Sequence, residues 1–423
     1  MRINAQMGVD LVAVEGEGEL SALVELTAPE APQDDTDHTP STLVIVLDRS
    51  GSMRGDRLEG AKRALLSLVD RLSPTDRFGL VTFDDDVRVD VPAATLTDKT
   101  IVKARIDAVG PGGCTNLSAG YLRGLQEARR AASDRGATVL LISDGHANAG
   151  ITDADQLATI ATTYAQQHVT TSTLGYGLGY DEYLLTAIAK GGRGNEHFAE
   201  NPDTAAALIA QEVTGLLSQT IQAASLTIRM SPHVRAVRLA NDLEVAPIES
   251  GLQVELGSLW AGEERKVVLV FDVPQLPALG LTEVATLELR YVDAVALTEE
   301  TVRIPLHVNV VPGDEAAGRT VNRVVATELA FLDAQRAKRE ASRRLYEGDA
   351  TGAAVMLQSA GSAITGAIQG APPELRAELS DEAMVIERMI EESQYGEATR
   401  ASKFLSADAA RKSRKRGRRD DPA

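Results

Sequence analysis

Residues 42–53 read TLVIVLDRSGSM. The run from Thr42 to Leu47 is apolar or β-branched throughout, then stops at Asp48-Arg49-Ser50-Gly51-Ser52. A short, uninterrupted apolar segment bounded by a polar turn reads as a strand buried on both faces. Alternation along an extended chain puts Asp48, Ser50 and Ser52 on a common side as the strand ends, and Gly51 permits a tight turn. One carboxylate and two hydroxyls on a loop are hard oxygen donors. Such donors suit Mg²⁺ or a similar hard cation, not zinc or copper.

Working outward, the same texture recurs from residue 41 to about 220. Strands are expected at 42–48, 77–83, 137–143, 169–176 and 195–199. Amphipathic segments lie between them at 56–72, 99–109, 117–133, 153–167 and 181–190, with a closing helix at 203–219. Strand and helix in alternation predict an α/β domain with a doubly wound, mostly parallel sheet and helices on both faces. Ligands of such sheets bind beyond the carboxyl ends of the strands, where the Asp48 loop falls. Two further stretches end there. GPGGCTNLSAG (110–120) is a glycine-rich loop that opens a helix and carries Thr115; VLLISDGHAN (139–148) is a second buried strand ending in Asp144 and Gly145. If these loops converge, Asp48, Ser50, Ser52, Thr115 and Asp144 form one oxygen shell.

The rest of the chain changes character twice. Residues 221–312 hold strand-like runs separated by Gly, Pro, Asn and Asp turns, which predict a β-sandwich. Residues 1–40 hold alternating apolar positions for two strands, too few to fold alone, and the proline- and acid-rich linker APEAPQDDTDHTP (28–40). If those strands complete the sandwich, the α/β domain at 41–220 is inserted in it; otherwise it is followed by it. Residues 313–396 are Ala- and charge-rich and predict a C-terminal helical bundle, whose first hairpin faintly resembles a single tetratricopeptide unit. Residues 397–423 read as a mobile tail with a basic run.

Charge and composition narrow the function. The net charge of −18 argues against nucleic-acid binding by the body of the protein. The exception is RKSRKRGRR (411–419), with seven positive charges, for which RNA, DNA, an anionic lipid surface, acidic patches of the same chain or plain solvation all stay open. One cysteine, Cys114, excludes an internal disulfide and fits a reducing compartment. The first twenty residues show no basic segment followed by an apolar core, and no apolar stretch approaches the roughly twenty residues of a membrane span. The expectation is a cytoplasmic protein.

D-x-S-G-S after a buried strand, Gly-Gly-x-Thr-Asn-Leu about 65 residues on, and then L-I-S-D-G resemble, in that order, a von Willebrand factor type A (vWA) domain of bacterial type, over residues 41–220. In that family these residues build the metal-ion-dependent adhesion site. The resemblance implies that Ser50, Ser52 and Thr115 ligate Mg²⁺ (or Mn²⁺ or Ca²⁺) directly, while Asp48 and Asp144 act through waters or as close acidic partners. It also implies a non-enzymatic role, the ion keeping one position for an Asp or Glu of a partner protein. The flanking β segments are similar to integrin β chains, in which the A domain is embedded in a sandwich. LGSLWAGEERKVVLV (256–270) is similar to bacterial relatives of the inter-α-trypsin inhibitor heavy chains. Family members also accompany AAA-type ATPases, so an accessory subunit of such an assembly is an alternative. A metal-dependent hydrolase is another; it needs a general base, for which Asp84–Asp86 and His146 are the candidates.

Plainer readings stand beside these. Asp48, Ser50 and Ser52 are ordinary helix-capping residues, and Asp56 reads as a cap before a second ligand. Arg49 is either a specificity residue facing a partner or a solvated side chain. Asp84-Asp85-Asp86 reads as an acidic turn, because the bidentate Glu of a calcium loop is missing. Cys114 reads as a loop filler, His146 as solvated, and Trp260 as packed inside the β segment. The 110–120 loop lacks the Lys-Ser/Thr ending of a phosphate-binding loop.

Overall fold

The computed structural model describes the chain except residues 15–17, 31–39, 133–135, 275, 277, 278, 295, 297, 317, 397, 415 and 419–423. Most of the linker expected at 28–40, and part of the basic run, lie outside the described residues. Two compact units are present. Residues 31–219 form one; residues 1–30 and 220–423 form the other, so the α/β unit is an insertion in the chain of its neighbour.

The chain opens on strands β1 (Arg2–Met7), β2 (Leu11–Ala13) and β3 (Gly18–Thr27) of the second unit. The α/β unit follows: β4 (Thr42–Asp48), α1 (Asp56–Arg71), β5 (Arg77–Phe83), β6 (Val87–Thr95), α2 (Lys99–Asp107), α3 (Leu117–Ala131), β7 (Ala137–Ser143), α4 (Ala154–Ala165), β8 (Val169–Tyr176), α5 (Glu182–Gly191), β9 (Arg193–Ala199) and α6 (Pro202–Leu217). Its six strands lie in the order β6-β5-β4-β7-β8-β9. All neighbours are parallel except β5 and β6, which form an antiparallel hairpin.

Every residue of β4 is buried, and alternation divides them between two helical layers. Leu43, Ile45 and Leu47 pack with residues of α1, α2 and α6, whereas Val44 and Val46 pack with α3, α4 and α5. The sheet is thus the doubly wound α/β arrangement expected from the sequence. Strand order reverses between β4 and β7, so the crevice beyond Asp48 and Ser143 is the topological switch point where such sheets bind ligands. Helix α3 lies close on β4: a Cβ on Gly124 would sit 2.1 Å from Val46 Cγ2, which leaves glycine as the residue that fits.

A buried polar cluster ties α6 to the edge of this sheet. Glu212 accepts from Ser172 Oγ of β8, from Asn195 Nδ2 of β9 at 2.8 Å, and pairs with His197 Nε2 at 2.9 Å. Burial alone would raise the Glu212 carboxyl, but His197, Ser172 and Asn195 together outweigh it and hold the group at about 2. The native value lies below the unfolded one of about 4.3. The cluster therefore contributes stability above roughly pH 4, and loses it as pH falls towards about 2. Glu212→Gln is expected to lower the urea midpoint at pH 7. Its deficit against the parent protein should shrink on acidification below pH 4; a deficit independent of pH would refute this account.

The second unit is built from two sheets and a set of helices. After α6 come β10 (Gln219–Met230), β11 (Ala236–Leu239), β12 (Val245–Ile248), β13 (Gly251–Trp260), β14 (Glu263–Val273), β15 (Gly280–Asp293) and β16 (Thr298–Val311). One sheet runs β1-β3-β14-β11 and the other β12-β13-β10-β15-β16-β2. Their facing residues share one core, including Val24, Leu26, Leu269 and Phe271 from the first and Leu226, Val254, Leu287 and Val308 from the second. Three N-terminal strands, not two, enter these sheets: β1 pairs β3, and β2 pairs β16 in parallel. Trp260 ends β13 half-buried, and just beyond it in β14 the Arg265 side chain is fully buried and pairs with Glu263 at 2.7 Å.

The helices are α7 (Gly313–Ala316), α8 (Arg323–Tyr346), α9 (Ala350–Gly370), α10 (Pro373–Tyr395) and α11 (Ala398–Ser413). Phe331, Leu345, Leu357, Ile364, Leu379, Ile386 and Leu405 form the common core of α8 to α11. Val325 and Leu332 of α8 pack on Leu23 and Val268 of the first sheet. Residues 398–413 are therefore a packed helix where the sequence reading expected mobile chain. Beyond them Arg416–Arg418 form β17, antiparallel to residues 263–265 of β14. Among the described residues, no helix is long and apolar enough to cross a membrane.

Candidate metal centre

The five residues singled out in the sequence lie around the switch point. Asp48 closes β4 fully buried; its Oδ1 accepts from Ser50 N at 2.8 Å and its Oδ2 from Ser143 Oγ at 2.7 Å. Ser50 and Ser52 hydroxyls are 3.0 Å apart, and Ser52 Oγ donates to Asp144 Oδ1 at 2.6 Å. Asp144, directly after β7, is buried, as is Thr115. A Cβ placed on Gly145 would be 3.5 Å from both Ser52 Oγ and Thr115 Oγ1, so the two hydroxyls border one small space. Thr115 is clamped through its backbone, its N–H donating to Asn148 Oδ1 at 3.1 Å and its carbonyl accepting from Asn148 N at 3.2 Å. Its hydroxyl makes no hydrogen bond among the described residues.

Burial pushes the Asp48 carboxyl up to about 6, against the hydrogen bonds of Ser50 and Ser143; nearby Asp144 adds to the rise. Among the described residues no group of three or more His, Cys, Asp or Glu is placed to hold a metal. The arrangement is hydroxyl-rich with two carboxylates. It fits a hard, oxygen-preferring cation and lacks the thiolates and imidazoles of a structural zinc site.

Several residues around these five take a supporting role that the sequence did not disclose. Arg49 is not solvated. It is buried, its Nη2 lying 2.8 Å from Asp84 Oδ1 and 2.7 Å from Oδ2, and its Nη1 donates to Gly110 O at 3.3 Å. The acidic turn is therefore a brace for the site. Asp84 also accepts from Gly113 N at 3.2 Å, and Asp85 accepts from Cys114 N at 3.1 Å. Despite the cost of burial, the amides of Asp86 and Gly113, and then Arg49, hold the Asp84 carboxyl below its usual range. Added Cβ atoms on Gly112 and Gly113 would fall 1.7 Å and 1.9 Å from Asp84 Oδ2 and Asp85 Oδ2, which explains the glycine pair at 112–113. Backbone bonds close the loops together, Gly51 N to Gly113 O at 2.8 Å and Gly112 N to Arg49 O at 2.6 Å.

Other residues resolve more simply. Asp56 is the first residue of α1 after an N-cap at Gly55, so it acts on the helix dipole and makes no side-chain cap. His146 lies 3.6 Å from Asp181. Ser143, unremarked in the sequence, was signalled only by being the one polar residue at the end of VLLIS. Asn148 and Arg57 were missed as well; from the first turn of α1 Arg57 Nη1 reaches Asp144 Oδ2 at 2.5 Å.

Comparison with known proteins agrees with this architecture. Residues 42–214 match the sequence model of the von Willebrand factor type A domain. An uncharacterized protein of Synechocystis sp. is 28% identical over 343 residues, covering 79% of this chain and 81% of that one. Inter-alpha-trypsin inhibitor heavy chain H2 of Sus scrofa is 29% identical over 195 residues, 44% of this chain but only 20% of its own length. Among solved structures, the von Willebrand factor type A protein of Catenulispora acidiphila superposes with a TM-score of 0.74 at 17% identity, covering 96% of each chain. At that identity the likeness speaks to fold alone. Residues 42–214 thus match the von Willebrand factor type A sequence model and have its α/β fold.

Proposed function

We propose that this domain is a divalent-metal-dependent protein-interaction module. Ser50, Ser52 and Thr115 would hold Mg²⁺, or Mn²⁺ or Ca²⁺, through their hydroxyls, with Asp48 and Asp144 as the acidic partners beside it. When bound, the ion supplies an electrophilic position for an Asp or Glu carboxylate of a partner protein. The observation that carries this reading is the meeting of three hydroxyls and two carboxylates, drawn from three separate loops, at the switch point of the sheet.

The residues of the chain have divided tasks in this reading. Asn148 and the Asp84–Asp86 turn hold the 110–115 loop so that the Thr115 hydroxyl is fixed before any ion arrives. Ser143 and the Ser50 amide orient Asp48. With few anionic donors, the site leaves charge on the ion for a ligand to neutralise. The similarity to a heavy chain of inter-alpha-trypsin inhibitor supports an interaction role, although this chain spans only a fifth of that protein.

The test is calorimetric titration of the purified chain with Mg²⁺, Mn²⁺ and Ca²⁺, followed by affinity capture from source-cell lysate with Mg²⁺ and with chelator. Ion uptake, and a partner retained only with the ion, are expected. An AAA-type ATPase as that partner would make the protein its accessory subunit. Absence of uptake at millimolar ion removes the metal reading; a partner bound equally with chelator removes the bridging role.

A further inference from the structure

Arg57 is placed against the usual rule for its position. It lies in the first turn of α1, where the helix dipole and the unpaired amides disfavour a cation, beside the acidic residues Asp56 and Glu59 that suit the place. What holds it there is Asp144. Its Nη1 meets Asp144 Oδ2 at 2.5 Å and approaches Ser52 O at 3.5 Å. The loop after β8 is shaped to admit the guanidinium: Gly177, at φ +76°, would with a Cβ come within 2.9 Å of Nη2 and 3.0 Å of Cζ. The Arg57 side chain is 40% exposed while Asp144 is fully covered, so the cation stands at the rim of the centre.

Local sequence rules broken without a packing reason mark functional positions. Here the consequence follows from charge. The centre has two carboxylates, Asp48 and Asp144, and one fixed cation, Arg57. A divalent ion added to it leaves one net positive charge; without Arg57 the loaded centre would be neutral. We propose that Arg57 is the affinity- and specificity-determining residue of this centre: it opposes the ion alone and favours the ion together with a carboxylate. The inference rests on the metal reading above and adds that ion and acidic ligand bind cooperatively. Each supplies charge that the other lacks, and coupling of this kind is reciprocal.

The test uses Mn²⁺ as the ion and acetate as the carboxylate, on the full chain, by calorimetry and by electron paramagnetic resonance of free Mn²⁺. Arg57→Gln is expected to bind Mn²⁺ about five- to tenfold more tightly than the parent in the absence of acetate, a rough figure for removing a nearby screened charge. Arg57→Lys, which keeps the charge, should stay near the parent value. Acetate should tighten Mn²⁺ binding in the parent and do so less in Arg57→Gln. A merely structural arginine predicts weaker ion binding in both variants. Unchanged or weaker Mn²⁺ binding by Arg57→Gln, or an equal acetate effect in both proteins, overturns the inference while leaving the metal centre standing. Failure of both parent and variant to take up Mn²⁺ overturns the two together.

Discussion

Thr115→Ala is expected to lower the affinity for Mg²⁺ and Mn²⁺ by about 100-fold or more while the domain stays folded. The figure takes the loss of a direct ligand to be at least as severe as the 10–100-fold typical of outer-shell changes. The hydroxyl makes no hydrogen bond among the described residues, so its removal leaves no stranded partner. The loop is held instead by Asn148 on the Thr115 backbone and by Asp84 and Asp85 on the amides of Gly113 and Cys114. Asp48→Ala is a poorer probe, because Asp48 also orients the Ser50 amide and the Ser143 hydroxyl. Thr115→Ser should retain the ion within a few-fold. Calorimetric titration decides the matter. Wild-type affinity in Thr115→Ala would take this residue out of the ligand set.

The second large effect concerns stability. Lys338 of α8 is fully buried and pairs with Glu382 Oε1 of α10 and Asp408 Oδ2 of α11, both at 2.5 Å. Lys412 closes the group, at 2.6 Å from Glu382 Oε2 and 3.0 Å from Asp408 Oδ2, and Gln335 Nε2 donates to Glu382 Oε1 at 2.9 Å. Burial would raise both carboxyls, yet the two lysines outweigh it and hold Asp408 at about 2 and Glu382 below its usual range. Lys338→Met leaves two buried carboxylates sharing one ammonium. The expected cost is about 3–5 kcal/mol, the range for breaking a buried pair from one side. Replacing Lys338 and Glu382 together by apolar residues should restore much of it, since Asp408 then keeps Lys412. Urea unfolding followed by far-ultraviolet circular dichroism measures both. A loss below about 1 kcal/mol for Lys338→Met would mean that water reaches the cluster.

How far the sequence could be read follows from where each residue finds its partners. The strands and helices of 42–214 were legible because each records its environment locally. Full burial of β4 goes with five apolar residues in succession, Leu43 to Leu47, and α1 needs a recurring apolar face. The metal-site candidates were legible for the same reason, since Asp48 and Asp144 end such strands and Thr115 opens a helix. Helix α11 was missed because its buried apolar positions are Ala401, Leu405, Ala409 and Ala410, a weak signal diluted by polar and charged residues. Lys338 was invisible because a lysine in a charged helix reads as surface. Trp260 was overread, being half-buried where its size suggested an interior position.

By itself, then, the sequence determined the alternation of strand and helix and the hydroxyl and carboxylate residues at the strand ends, because backbone periodicity and turn chemistry are properties of neighbours along the chain. Only the tertiary structure decided the partners of the long charged side chains. Arg49 meets Asp84 across 35 residues, Arg57 meets Asp144 across 87, and Lys338 meets Asp408 across 70. Nothing local encodes such pairs. They exist because sheet order and helix packing bring the groups together where water is scarce, and there an ion must be matched by another.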